Sequence, residues 1–192
     1  MTNSALLVMD IQRGIVDRFP ESAGADYLTR LGTAVDAARA AGVPVIHVVI
    51  GFRAGHPEVS PRNKAFGALA GSAAFVEGDS SAAIHPALAP QPGDVVVTKK
   101  RVSAFAGSDL GTVLRGAGVT HLVLTGIATS GVVLSTLRQA ADLDFGLTVL
   151  SDGCLDGDAE VHRVLTEKVF PRQADVVSVD AWVKAVGEPQ AG

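Results

Sequence analysis

The chain has 192 residues, 47% of them hydrophobic, and a formal charge of -4, so it can bury one large core and carries no basic excess of the kind that binds nucleic acid or an anionic membrane. Its one cysteine, Cys154, excludes an internal disulfide and a multi-cysteine zinc site and suits a reducing cytoplasm. The apolar opening "ALLVM" is cut off at Asp10, too soon for a signal peptide, and no stretch reaches the ~20 apolar residues of a membrane span, so a cytoplasmic protein acting on a small molecule is expected.

Short runs of β-branched and aliphatic residues alternate with segments of helical periodicity, the pattern of parallel strands joined by helices. In chain order the reading is a strand at 5–9, a helix at 25–41 and a strand at 44–50. Residues 51–92 follow, rich in glycine, proline and alanine and without periodicity, read as a long loop overhanging one end of the sheet. Then come a strand at 95–98, a helix at 109–116, a strand at 121–125, the turn "GIATSG" and a helix at 130–141. The chain closes with a strand at 147–150, the tetrapeptide "SDGC", a helix at 158–170, a strand at 175–179 and a helix at 181–186. Asp156, Asp158 and Glu160 near the start of the fourth helix and Pro171 at its end fit the charge asymmetry and breaker of a helix. The whole chain, 1–192, reads as one α/β domain with six strands in a doubly wound sheet.

In such a sheet ligands lie beyond the carboxyl ends of the strands. Asp10, the Lys99–Lys100 pair, "GIATSG" and "SDGC" all follow strands, so all four are expected at one crevice. Asp10 stands at the rim of an apolar sheet, where burial raises a carboxyl pKa and a nearby ammonium lowers it, which makes a tunable acid or base. Lys99 is the matching cation; strand side chains alternate, so Lys100 should point the other way. His47 reads as a hydrogen-bonded core residue, and His85, His121 and His162 as turn or surface positions. There is no G-x-G-x-x-G after the first strand and no P-loop, so no nucleotide cofactor is expected.

Taken in order, "LLVMDIQ", "VVTKKRVSAFAGSDL" and "LVLTGIATSGVVLSTLRQAADLDFGLTVLSDGC" resemble the isochorismatase-like, or cysteine hydrolase, superfamily over nearly the whole chain. The resemblance implies a three-layer α/β/α, Rossmann-like fold with a six-stranded parallel sheet, in a homodimer or larger homo-oligomer. It places the family's catalytic aspartate on Asp10, its catalytic lysine on Lys99 and its glycine-x-x-threonine turn on Gly126 to Thr129, with a cis peptide before Ala128. It further implies a substrate pocket using Gln12, Arg53, Arg101, Phe105, Ala128, Thr129 and Val132.

The nucleophilic cysteine of the family's amidases falls on Val132, which cannot attack a carbonyl. Ser130 and Ser135 are poorly aimed to replace it. The metal-binding branch has an aspartate and two histidines after the second strand, where this chain has only His56, so no metal is expected. The remaining branch hydrolyses a vinyl ether by acid catalysis, and Asp10 and Lys99 would supply that chemistry to a small anionic metabolite, with Arg53, Arg62, Lys64 and Arg101 as candidate partners for its charge. True isochorismatases have a glycine at the position of Val132. Two alternatives stay open: an inactive ligand-binding or scaffold protein, and an amide hydrolase using Cys154 or an activated water.

Overall fold

The structure, a computed structural model, describes residues 3–19 and 24–188. Its elements run β1 (Ser4–Met9), α1 (Arg13–Val16), α2 (Ala25–Ala40), β2 (Val45–Ile50), β3 (Val95–Lys99), α3 (Leu110–Gly116), β4 (His121–Ile127), α4 (Leu134–Asp142), β5 (Gly146–Leu155), α5 (Ala159–Val164), β6 (Asp175–Val177) and α6 (Val179–Gly187). The six strands form one parallel sheet in the order β3-β2-β1-β4-β5-β6. Chain order grows outward in both directions from the β1/β4 junction, the switch point at which crevices open in sheets of this kind.

Strand alternation divides the core in two. Leu7, Met9, Val48 and Val97 pack with Leu110, Leu114 and Leu137 of α3 and α4. Leu6, Val8, Val45 and Val123 pack with Leu28, Leu31, Val35 and Val179 of α2 and α6. With helices on both faces the inner strands leave no face for solvent, which is why β2 reads as the unbroken apolar run "VIHVVI" with all six residues buried. The result is the expected α/β/α sandwich. His47, the polar member of that run, is held by Asp94 at 3.3 Å.

Several elements differ from the sequence reading, each for a local reason. β5 continues through "SDGC" to Leu155, and its register against β4 shifts between Leu124 and Gly126. The segment read as one helix at 130–141 begins with a π-helical turn, Thr129–Val133, and the one at 158–170 passes into another, Leu165–Val169. The last strand stops at Val177 because Ser178 caps α6, its hydroxyl accepting from the Ala181 amide at 3.1 Å. The long loop contains three short 3₁₀ turns, Gly67–Leu69, Ser80–Ala82 and Pro86–Leu88, and a small apolar cluster of its own around Phe52, Val59 and Phe75.

At the switch point β4 passes so close to β1 that a Cβ on Gly126 would stand 2.3 Å from the Met9 carbonyl oxygen, and Gly126 also has φ +139. A side chain there would force the two strand ends apart. Gly126→Ala should therefore lose at least about 2 kcal/mol in urea unfolding. Gly32→Ala, in the middle of α2 with only Leu88 at 3.9 Å from its new methyl, should gain about 0.5–1 kcal/mol.

Candidate active site

Asp10 is the first residue beyond β1 and turns the chain out of the sheet with φ 59, a left-handed conformation that aspartate tolerates better than most residues. Lys99 ends β3, which lies two strands away with β2 between. Its four-carbon stem carries the ammonium across the end of β2 to within 3.0 Å of Asp10 Oδ2. The Lys99 Nζ also donates to the Arg101 carbonyl at 3.1 Å. Lys100 points the other way, donating to the Gly51 carbonyl at 2.7 Å and to Glu77 at 3.2 Å.

Both members of the pair are buried: Asp10 is 7% exposed and Lys99 2%. Removal from water pushes the Asp10 carboxyl pKa upward, and the Lys99 ammonium opposes that shift through its charge and its hydrogen bond. Asp10 Oδ1 has no hydrogen-bond partner among the described residues. A buried carboxyl oxygen without a partner, beside one that is ion-paired, is what a group needs if it is to exchange a proton with something that enters.

Asp10 lines a cavity of about 210 Å³. Its inner wall is Asp10, Lys99, Ile50, Ile127, Ala128 and Val132, and its outer wall comes from Ile15 and Arg18 after β1 and from Phe66, Leu69 and Phe75 of the long loop. The Ile127–Ala128 peptide is cis. Val132, 2% exposed, presents an aliphatic side chain to the space. Among the described residues no group of three or more His, Cys, Asp and Glu side chains could hold a metal ion, and no helix is long and apolar enough to cross a membrane.

Of the residues expected in the pocket, Asp10, Lys99, Ala128 and Val132 meet there. The others do not reach its wall. Gln12 is consumed as a clip: its Nε2 donates to the carbonyls of Ile50 and Ala82 and its Oε1 accepts from the Ile50 amide, each at 2.8 Å. Arg53 is an exposed side chain paired with Glu58 at 2.6 Å, and Arg101 donates to the carbonyls of Lys100 and Glu58, both at 2.6 Å. Arg62 and Lys64 are exposed and off the wall. Phe105 packs on Phe145 with ring centroids 6.1 Å apart. Thr129 lies behind the turn, fully buried, its hydroxyl 2.8 Å from His162 Nδ1.

His162, half-buried, thus also supports the turn. "SDGC" does not join the crevice either. Asp152 accepts from the Val179 amide at 2.7 Å, and Cys154 is buried in the core, its sulfur 3.8 Å from the Leu124 carbonyl. Burial pushes the Cys154 thiol pKa up, which disfavours the thiolate that a nucleophile requires. The amide-hydrolase alternative loses its thiol version on this geometry.

The sequence reading missed Arg18, Phe66, Leu69 and Phe75. α1, which delivers Ile15 and Arg18, spans only four residues, too few for a periodic signal, and the three apolar residues sit in the aperiodic loop.

A family model described as the isochorismatase domain matches residues 4–181. The ureidoacrylate amidohydrolase RutB of Methylobacterium radiotolerans is 34% identical over 96% of this chain and 80% of its own length. An isochorismatase family protein of Escherichia coli O157:H7, YecD, is 32% identical over 95% of this chain and 96% of that protein. Among solved structures, an isochorismatase family protein from Burkholderia thailandensis matches with a TM-score of 0.83 at 31% identity, covering 98% of this chain and 97% of that one. A cysteine hydrolase from Pseudomonas syringae pv. phaseolicola shares the fold with a TM-score of 0.88 at 24% identity, covering 96% and 92% of the two chains.

A buried pair is costly to break from one side, because the remaining charge has neither water nor partner. Asp10→Asn and Lys99→Met should each destabilise the fold by on the order of 3 kcal/mol in urea unfolding, and the double variant should recover most of that loss. Additive losses would mean that the two charges do not depend on each other.

Proposed function

The chain belongs to the isochorismatase family of hydrolases, and from that premise we propose that it hydrolyses a small anionic metabolite by proton transfer through Asp10 and Lys99, with no covalent intermediate at position 132. The observation that carries this reading is the 3.0 Å contact between Asp10 Oδ2 and Lys99 Nζ, with Oδ1 unpartnered among the described residues, at a cavity whose remaining inner wall is aliphatic. Val132 offers no atom for attack, so the reacting groups are a carboxyl, an ammonium and water.

For a vinyl ether the steps balance as follows. The Asp10 carboxylic acid gives its proton to the enol carbon, forming a C–H bond and leaving an oxocarbenium ion and a carboxylate. The Lys99 ammonium stabilises that carboxylate as it forms. Water adds to the cation and returns a proton to Asp10, and the hemiketal collapses to a ketone and an alcohol. The raised carboxyl pKa favours this role, because the acid form persists to higher pH than it would on a solvated aspartate.

A second reading is favoured by the relatives named ureidoacrylate amidohydrolase: C–N hydrolysis in which the Asp10 carboxylate takes a proton from the attacking water. The two differ in the sign of one pH limb. If Asp10 acts as the acid, kcat/KM is full below its folded-state pKa and falls as pH rises through it; if it acts as the base, kcat/KM rises through the same pKa.

Assays with isochorismate and ureidoacrylate over a pH series read that limb directly. Asp10→Asn should lower turnover by at least about 10²-fold with the circular dichroism spectrum retained, whereas Val132→Ala should keep activity within about threefold. Full activity in Asp10→Asn would remove the acid and base assignments together.

A further inference from the structure

The cavity wall carries one acid, Asp10, and two cations, Lys99 and Arg18. Lys99 is committed to the Asp10 carboxyl and to the Arg101 carbonyl. Arg18 is different. Its side chain makes no ion pair or hydrogen bond among the described residues, and its guanidinium lies 5.6 Å from the Phe75 ring centroid. The chain is acidic overall, at -4, and the other arginines and lysines considered for substrate binding are spent on Glu58 or on backbone carbonyls, or lie off the wall. Among the described residues, Arg18 is therefore the cation on the cavity wall that has no protein counter-charge.

We infer that Arg18 is the clamp for the substrate's anionic group, so that the cavity takes an elongated molecule with a carboxylate at the Arg18 rim and its hydrolysable bond at the Asp10 floor. This rests on the proposed function for the chemistry at the floor, but the clamp is a binding property that can be read without turnover. The burial gradient supports the orientation: Arg18 is exposed, whereas Asp10, Lys99 and Val132 are buried. The Arg18 guanidinium stands 5.6 Å from the Phe75 ring centroid, and its planar set of N–H donors matches a carboxylate, which it can grip with two parallel hydrogen bonds.

Between the two ends the walls are apolar and in part aromatic. Phe66, Leu69 and Phe75 come from the loop side, and Ile127, Ala128 and Val132 from the sheet side. The body of the ligand is accordingly flat and weakly polar. A cavity of about 210 Å³ is on the scale of a small metabolite, such as a single ring or a short unsaturated chain. The substrate class is a small, flat carboxylic acid whose carboxylate is recognised apart from the bond that breaks.

The test uses benzoate, which has a flat body with a carboxylate, and benzamide, which has the same shape without the charge, titrated calorimetrically into the full chain. Benzoate should bind at least about tenfold more tightly than benzamide. Arg18→Gln should abolish that preference while leaving benzamide affinity unchanged, and Arg18→Lys should keep part of it. In Asp10→Asn the preference should persist, because the clamp lies at the other end.

The proposal is overturned if benzoate does not bind, if benzamide binds the native chain equally well, or if the preference survives Arg18→Gln. A preference that survives Arg18→Gln but disappears in Lys99→Met would place the anion on the floor instead. Loss of the hydrolytic reading alone would appear as a benzoate preference intact in a protein without turnover.

Discussion

The Asp10–Lys99 pair is the interaction on which the rest of the site depends. Its two members begin on strands that are not neighbours, and the intervening end of β2 has to be bridged by a side chain. Lysine can do this because its charge sits at the end of a long flexible stem. The strand order is what brings the two ends within reach: with β1 beside β4 at the switch point, the chain leaving β1 at Asp10 faces a gap that no connecting helix fills. Gly126 is part of the same constraint, since the absence of a Cβ lets the ends of β1 and β4 converge. Gln12 ties the segment after Asp10 to the end of β2 and to the long loop, so the backbone that aims the carboxyl is fixed from two directions.

Burial gives the pair its chemical character and also sets its cost. A solvated aspartate would be fully ionised at neutral pH and indifferent to its surroundings. In the apolar floor, desolvation works against Lys99, and the balance leaves a carboxyl whose protonation responds to what lies next to it. Val132 contributes to this by being inert: an aliphatic wall adds no dipole to stabilise the carboxylate. The same residue that offers no nucleophile would therefore reinforce the acid and base catalysis proposed for Asp10.

Much of this was legible in the sequence because it is carried by strands. Six aliphatic runs, most of them separated by helical periods, give the parallel sheet, and residues immediately after such runs are bound to cluster at one end. Period-two alternation separates Lys99 from Lys100. The outer wall follows no such rule. Phe66, Leu69 and Phe75 lie in a segment with no repeat, and their meeting depends on turns that local sequence specifies weakly. Charge was misleading for a related reason. Arg53 and Arg101 lie in the expected segments, but Glu58, only five residues from Arg53, takes up the first by its side chain and the second by its carbonyl. An arginine's value to a ligand depends on whether the protein has already used it, and sequence position does not reveal that.

The division between strand-borne floor and loop-borne rim has a consequence for specificity. The floor is held by the sheet, by the Thr129–His162 contact beneath the turn and by packing on both faces, so a change there disturbs the fold as well as the chemistry. The rim rests on the four-residue α1 and on a loop cluster of a few apolar side chains, where substitutions act on what enters rather than on how the bond is broken. The proposed catalytic and recognition groups thereby lie on parts of the molecule with different tolerance. On the proposed reading, the proton-transfer pair can stay constant while Arg18 and the phenylalanines around it decide which acid is admitted.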